Sequence, residues 1–204
     1  RYLAKAPKRS DVSSVWVGLR PLVRASGQGD AAQSTSQMSR EHLIRREAPG
    51  LVTVTGGKWT TYRAMAADVM QAIRQAQLLS LTSEDVTAQT KLWGAPSLDA
   101  DMGLHREQGQ YARYGSEAEL LATLPGAQHW LAPHLSEAMV RFAARFEYAR
   151  TVEDVLARRN RLLFLDATAA LAVAPQVAEI LSSETGVTPQ LAAFEALAKS
   201  YQMP

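Results

Sequence analysis

The pattern of apolar positions changes at about residue 60 of this 204-residue chain. Before that point, short β-branched runs alternate with turn-forming residues. Residues 51–55 form such a run between glycines and predict a strand. The looser alternation of residues 12–17 predicts another strand, and the small polar residues at 25–37 predict a flexible loop. The first part of the chain therefore predicts a small region that contains strands.

After residue 60 the apolar positions recur at helical spacing. Residues 61–79 predict a helix with one buried stripe, formed by Met65, Val69, Ala72, Ile73 and Ala76. Further helices are predicted at about 101–113, 116–123, 135–147, 151–174 and 176–182, with a last one after residue 189. In the helix at 151–174, Thr151 is the expected hydroxyl cap and Pro175 the expected end. The pattern as a whole predicts a mainly α protein: a short α/β part, then an all-helical part.

Composition narrows the classes of function. Hydrophobic residues make up 47% and charged residues 21%, which is ordinary for a globular protein. A net charge of +2 gives no reason to expect nucleic-acid binding. Without cysteine there is no disulfide, iron–sulfur site or thiol nucleophile, and the scattered histidines predict no metal site. The first residues predict no secretory signal. No apolar run reaches the roughly 18 residues that a membrane helix needs. The chain does not begin with Met, which predicts a fragment.

The passage from the strand at 51–55 into the following helix is the main candidate for chemistry. Gly56 and Gly57 allow positive φ and a close approach of the backbone to a ligand. The helix is expected to begin at once, with Thr60 or Thr61 as its N-cap. Its first N–H groups then face outward with partial positive charge, which suits an electron-rich ligand.

Two groups of cations accompany this candidate site. Lys58 and Arg63 lie at the positive end of the predicted helix, where acids would stabilise the helix better. A surface turn with solvated cations explains them equally well. Arg20 precedes Pro21, which stiffens the backbone and suits two-pronged binding of a phosphate or carboxylate; Arg40 is a further cation in the same half.

Several segments together resemble one enzyme family. WVGLRPL at 16–22, SR at 39–40 and GGKWTTYR at 56–63 look like the last part of FAD-dependent glycerol-3-phosphate dehydrogenases. Residues 145–159 and 162–166 are similar to the helical C-terminal domain of that family. The resemblance covers nearly the whole chain, and ordered motifs at matching separations are more specific than any single motif.

The resemblance implies an activity for the parent enzyme. It would oxidise sn-glycerol 3-phosphate to dihydroxyacetone phosphate, with hydride transfer from C2 to flavin N5, and pass the electrons to a quinone. Lys58 would be the catalytic cation beside the flavin, and Arg20 and Arg40 would bind the substrate. The cofactor-binding residues would be Gly56, Gly57, Lys58, Thr60 and Thr61.

The same resemblance implies an incomplete enzyme. Residues 1–80 would be the end of the FAD and substrate domain, and residues 81–204 the helical C-terminal domain. The flavin-binding glycines and the catalytic base would lie elsewhere, so we expect this chain alone to be inactive and to retain no FAD. The expected location is cytoplasmic, with peripheral association at the inner face of the cell membrane and homodimerisation left open. Two alternatives stay open: an alpha-glycerophosphate oxidase that uses oxygen, and a non-catalytic helical interaction module.

Overall fold

The computed structural model describes residues 5–19, 41–80, 83–95 and 109–203. By its internal contacts the chain forms two compact units. The helical unit comprises Arg1–Val17 and Trp93–Pro204, and the hairpin unit comprises Gly18–Leu92. The predicted loop at 25–37 and most of the predicted helix at 101–113 lie outside the described residues. The mainly α fold is confirmed.

The hairpin unit contains two antiparallel strands and a helix. Strand β1 (His42–Ala48) pairs with β2 (Leu51–Gly56), and Pro49 and Gly50 form the turn between them. Gly50 has a φ of 79°, which a glycine adopts without strain. The strand predicted at 51–55 is confirmed, whereas β1 was not predicted, because charged residues fill its second half.

Helix α1 (Tyr62–Gln75) follows β2 and confirms the helix predicted at 61–79, although it ends four residues earlier. Every residue of the predicted apolar stripe is half-buried. His42 Nε2 lies 2.8 Å from the Asp68 carboxylate and joins β1 to α1. The helix therefore packs on the hairpin through the face that the periodicity predicts.

Most of the regular structure belongs to the helical unit. A 3-10 segment (Gly109–Glu117) leads into α2 (Ala118–Thr123), and a short hairpin of β3 (Trp130–Ala132) and β4 (Leu135–Ser136) follows. After α3 (Glu137–Phe146) come a π-helix (Asp154–Arg159), α4 (Leu162–Leu165), α5 (Ala167–Thr185) and α6 (Leu191–Lys199). Helix α5 packs against both α3 and α6, and the buried core lies among these helices, with Phe142, Leu156, Leu181 and Phe194 at its centre.

The single helix predicted at 151–174 is wrong. The Thr151 hydroxyl accepts the Asp154 N–H at 3.1 Å, so the predicted cap is confirmed. The π-helix that follows ends at Arg159, and the side-chain oxygen of the next residue, Asn160, accepts the Leu162 N–H at 2.9 Å. Asp166 then caps a new helix by accepting the Ala169 N–H at 2.9 Å. Both side chains compete for backbone N–H groups, and this competition divides the segment.

Pro175 does not end a helix, contrary to the sequence prediction. It lies inside α5, which continues to Thr185 and is capped by Gly186 at a φ of 67°. A proline inside a helix costs about 3 kcal/mol. The residues after it, Val177, Ala178, Ile180 and Leu181, are all buried in the core. Their burial offsets the cost, because each large apolar side chain that leaves water contributes roughly 1.5–3 kcal/mol.

A cluster of ion pairs joins α3 to α5. Arg141 bridges Glu137 and Glu184, and Arg145 donates to both oxygens of Glu184 at 2.6 and 2.8 Å. The hydrogen bond from Arg145, followed by that from Arg141, lowers the pKa of Glu184. The pKa of Glu137 is also lowered, first by its hydrogen bond with His129 and then by Arg141. These carboxylates therefore stabilise the unit in their ionised form.

The strand predicted at 12–17 is wrong, because this segment forms no sheet ladder. It makes separate hydrogen bonds to the helical unit instead. The structure therefore groups residues 1–17 with the helices, and the assignment of 1–80 to one domain and 81–204 to another stays a prediction. Within the described part of the chain, no helix combines the length and apolar character needed to cross a membrane.

Candidate functional site

The turn between β2 and α1 contains the predicted site residues. Gly56 and Gly57 have φ values of 77° and 85°, a conformation that residues with a side chain rarely adopt. Gly56 is still paired with His42 in the sheet, so the chain leaves the strand at Gly57. The predicted order of strand, two glycines and helix is thus confirmed.

Gly57 also allows the helix to approach the hairpin. A Cβ atom at this position would lie 2.6 Å from both Sδ and Cε of Met65 and 3.1 Å from Cβ of His42. A side chain would therefore force Met65 to move and would press on β1. Packing inside the hairpin unit alone is enough to require this glycine.

The start of the helix differs from the prediction in one detail. Residues Trp59–Thr61 form a 3-10 turn, and α1 begins at Tyr62 with Thr61 in the N-cap position. The Thr61 hydroxyl donates to the Lys58 carbonyl at 3.0 Å rather than accepting an N–H, and the Thr61 N–H donates to the same carbonyl. The N–H groups of Trp59 and Thr60 precede the first bond of the turn, so the helix itself gives them no acceptor.

The two predicted cations have different surroundings. Arg63 lies 3.7 Å from the Asp85 carboxylate and 3.5 Å from the Thr87 hydroxyl. The pKa of Asp85 is lowered first by the hydroxyl of Thr87, then by its N–H, and also by Arg63. Lys58 is exposed and has no acidic or hydrogen-bonding partner among the residues that the structure describes. Lys58 is therefore the cation available to a ligand at this turn.

Five of the predicted site residues lie within this one turn because they are neighbours in sequence: Gly56, Gly57, Lys58, Thr60 and Thr61. Arg20 and Arg40 lie outside the described residues.

Sequence reasoning assigned no role to the aromatic pair at this turn. Trp59 is 86% exposed and stacks on Tyr62 with ring centroids 5.6 Å apart. Residues three positions apart are neighbours on a helix surface, so the spacing of Trp59 and Tyr62 was the sequence signal for this contact.

Comparison with known proteins identifies what this chain is similar to. A family model described as the C-terminal domain of alpha-glycerophosphate oxidase matches residues 52–191. The match includes most of β2, the whole glycine turn and the helices as far as the start of α6. No solved structure gives a significant match.

Curated relatives extend the similarity to most of the chain. The mitochondrial glycerol-3-phosphate dehydrogenase SDP6 of Arabidopsis thaliana is 36% identical over 90% of this chain and 33% of its own length. A probable mitochondrial glycerol-3-phosphate dehydrogenase of Caenorhabditis elegans is 36% identical over 91% of the chain and 28% of its own length. The mitochondrial glycerol-3-phosphate dehydrogenase of Bos taurus is 34% identical over 87% of the chain and 26% of its own length. The chain thus spans a third or less of the length of these relatives.

Proposed function

Because this chain belongs to the family of the C-terminal domain of alpha-glycerophosphate oxidase, we propose that it is the C-terminal part of a flavin-dependent enzyme. The reaction is the oxidation of sn-glycerol 3-phosphate to dihydroxyacetone phosphate. The similarity to glycerol-3-phosphate dehydrogenases over 90% of the chain supports this proposal. The observation that supports it is the exposed Lys58 at the glycine turn, for which the described part of the chain offers no acidic or hydrogen-bonding partner.

The residues at the turn fit the carbonyl end of a flavin ring. Gly56 and Gly57 are half-buried and carry no side chains, and the N–H groups of Trp59 and Thr60 are donors at a helix start. The Thr61 N–H is already used, so the role of Thr61 is to hold the turn through the Lys58 carbonyl. Bound FAD would supply the acceptor for the hydride that leaves C2 of the substrate.

Lys58 is the proposed catalytic residue. Its ammonium group lies where the helix N-terminus already carries partial positive charge, so together they favour negative charge at this place. We assign Lys58 to hold the substrate oxygen or the charge that develops on the cofactor ring. No described acid neutralises Lys58, which leaves its full charge for this role.

The proposed substrate-binding residues are Arg20 and Arg40. Both are cations in the part of the chain that precedes the glycine turn. An arginine followed by proline suits the planar, two-pronged binding of a phosphate group. Their assignment depends on the family resemblance, since both lie outside the described residues.

The electron acceptor is proposed to be a quinone, and the relatives are named dehydrogenases rather than oxidases. Oxygen is the second candidate, because the matching family model is described from an oxidase. A cytoplasmic enzyme bound peripherally to the membrane, and a homodimer, are parts of the same proposal. Measuring activity with a soluble quinone and with oxygen as alternative acceptors distinguishes the two candidates.

The principal experiment uses the full-length enzyme with Lys58→Met. We expect kcat to fall by roughly 10²–10³-fold, the usual effect of removing one positioned group that stabilises developing charge. Bound FAD per chain should stay near the wild-type value. Lys91→Met is the matched control, since Lys91 is an exposed lysine of the same unit. Loss of FAD with unchanged activity per remaining flavin would make Lys58 a cofactor-binding residue instead.

A second experiment tests the division of the cofactor site. This chain alone, mixed with FAD and dialysed, should be folded, strongly helical and colourless. A single turn supplies only part of the contacts that a dinucleotide cofactor needs. Flavin absorbance at close to one FAD per chain after dialysis would contradict the proposal.

A further inference from the structure

A pocket of about 430 Å³ lies within the helical unit, and all of its lining residues fall between positions 93 and 159. None of them belongs to the glycine turn. The 3-10 segment, the residue after α3 and the last residue of the π-helix contribute to its walls. Its volume falls within the roughly 300–1,000 Å³ of small-molecule sites in proteins. The construction of the walls and the charges on them then determine which ligand the pocket can bind.

One wall of the pocket depends on a close backbone contact. The Ser116 N–H donates to the Gly94 carbonyl at 2.9 Å, and the Trp93 indole N–H donates to Glu117 Oε1 at 2.8 Å. A Cβ atom at Gly115, which has a φ of 57°, would lie 2.0 Å from the Gly94 carbonyl oxygen. Only a glycine at this position permits so close an approach.

A second wall contains the end of the π-helix. π-helices are rare in proteins and occur frequently at functional sites. Arg159 is the last residue of this one, and it donates a hydrogen bond to the Glu147 carbonyl. Its Nε also lies 4.0 Å from the Glu147 carboxylate. The π-helix therefore brings a cation into the same pocket as two acidic side chains, Glu117 and Glu147.

The pocket contains two cations and two carboxylates, so its charges balance: Arg113, Arg159, Glu117 and Glu147. Arg113 Nη2 donates to the His134 carbonyl, whereas its Nε and Nη1 have no partner among the described residues. Burial raises the pKa of Glu147; Arg159 opposes this shift, and the Glu117 carboxylate adds to it. The two carboxylates are therefore close enough to interact, and a positive group beside them would relieve their repulsion.

Trp93 adds an aromatic surface to the pocket. Its side chain is 91% exposed, although its N–H is bonded to Glu117. The face of an indole ring attracts ammonium groups. A tryptophan beside two carboxylates therefore suits a cationic group, while the two arginines suit a carboxylate or phosphate group.

The balance of charge selects the class of ligand. A free anion would be attracted by the arginines and repelled by the carboxylates, and a free cation would meet the reverse. We propose that this pocket of the helical unit binds a small zwitterion. Its ammonium group contacts Glu117, Glu147 and Trp93. Its carboxylate or phosphate group contacts Arg113 and Arg159.

The test compares the binding of zwitterions with that of their separate halves, using the 204-residue chain. The probes are phosphoethanolamine with inorganic phosphate and ethanolamine, and the amino acid β-alanine with propionate and ethylamine. The NMR resonance of the Trp93 indole N–H reports binding, because this N–H is bonded to Glu117 at the pocket. We expect at least one zwitterion to bind about tenfold or more tightly than either of its halves, since joining two groups makes the second contact intramolecular.

Charge-removing variants test the two sides of the pocket. Glu117→Gln keeps an acceptor for Trp93 and removes one negative charge, and Arg113→Gln removes one positive charge. Each should weaken zwitterion binding about five- to tenfold, the effect of losing one charge-assisted hydrogen bond. Glu119→Gln and Arg161→Gln are the matched controls, because both are exposed residues of the helical unit outside the pocket. The controls should leave the affinity unchanged.

Three results would overturn the inference. The first is no shift of the Trp93 resonance with either zwitterion up to about 50 mM. The second is a half that binds as tightly as the whole molecule, which would make the pocket a simple ion site. The third is an equal loss with Glu117→Gln and Glu119→Gln, which would show a general effect of surface charge. Glu147→Gln repeats the test of the acidic side if circular dichroism shows that Glu117→Gln alters the fold.

Discussion

The hairpin unit and the helical unit are stabilised in different ways. In the helical unit, side chains from α2 to α6 are fully buried around Phe142 and Phe194. In the hairpin unit, no residue that the structure describes is fully buried, although α1 carries a clear apolar stripe. An amphipathic pattern therefore does not by itself give a core. The hairpin unit depends on local features, such as the glycine turns and the pair of His42 and Asp68.

The largest expected difference between the units comes from removing a leucine side chain. Leu181→Ala should lower the free energy of unfolding by about 2–5 kcal/mol, because Leu181 is fully buried and leaves a cavity. Leu79→Ala in the hairpin unit should change it by less than about 0.5 kcal/mol, because Leu79 is 59% exposed. Urea unfolding of the chain, followed by circular dichroism, measures both. Equal effects would remove the contrast between the units.

The hairpin unit should be most sensitive at its glycines. In Gly57→Ala, the new residue would have a φ of 85° and its Cβ would lie 2.6 Å from Met65. In Gly50→Ala, the φ would be 79° and the Cβ would have no neighbour within 4 Å. Gly50→Ala should cost about 1–2 kcal/mol for the left-handed backbone, and Gly57→Ala more. Hydrogen exchange of the α1 amides should accelerate in that order. The reverse order would show that contact with Met65 is unimportant.

The ion pairs of the helical unit predict an acid-dependent loss of stability. The pKa of Glu184 lies below its ordinary value of 4.5, so its contribution is complete above pH 4.5 and is lost as the pH falls through the lowered pKa. Glu184→Gln should cost about 1–3 kcal/mol at pH 7, since both arginine partners are partly exposed. It should also flatten the loss of stability below pH 4.5.

Glu179→Gln is the control for this effect, because Glu179 is an exposed residue of the same helix. Thermal unfolding of the wild type and the two variants between pH 3 and pH 7 makes the comparison. The same pH dependence in all three proteins would show that the cluster does not contribute.

The smallest effect is expected at the exposed aromatic pair. Trp59→Ala should change the stability of this chain by less than about 0.5 kcal/mol, because Trp59 contacts Tyr62 and is otherwise exposed. We expect a further part of the full-length protein to cover this face, so the same variant should lower the melting temperature of that protein measurably. Identical changes in the two proteins would show that no further part of the protein covers Trp59.

Local signals predicted the backbone elements around the candidate site well. The β-branched run, the two glycines and the stripe of α1 are all explicit in sequence, and the structure confirms them. The family resemblance is also confirmed. The pairing of Arg63 with Asp85 could not be predicted, because it joins residues 22 positions apart across a turn of no regular pattern. The roles of Arg20, Arg40 and Lys58 stay predictions.

The failures in the fold have physical causes. Asn160 and Asp166 divide a continuous apolar pattern by binding backbone N–H groups, while burial keeps α5 intact through Pro175. The periodicity of apolar residues carries no information on side-chain hydrogen bonds to the backbone or on burial in the core. The segment at 12–17 has a strand-like pattern but no neighbouring strand among the described residues, and only the structure shows which groups form its hydrogen bonds.

The hydrogen bonds of residues 12–17 to the helical unit also set an order of events during synthesis on the ribosome. Ser14 is bonded to a residue 149 positions later, and Val15 to Tyr201, close to the last described residue. At roughly 5–20 residues per second, the ribosome needs about 10–40 s to make the chain between Val15 and Tyr201. Ser14 therefore waits for α4, Ser13 for the start of α5, and Val15 for the residues that follow α6. These contacts close much longer loops than the packing of neighbouring helices does, so their entropic cost is larger and we expect them to form late.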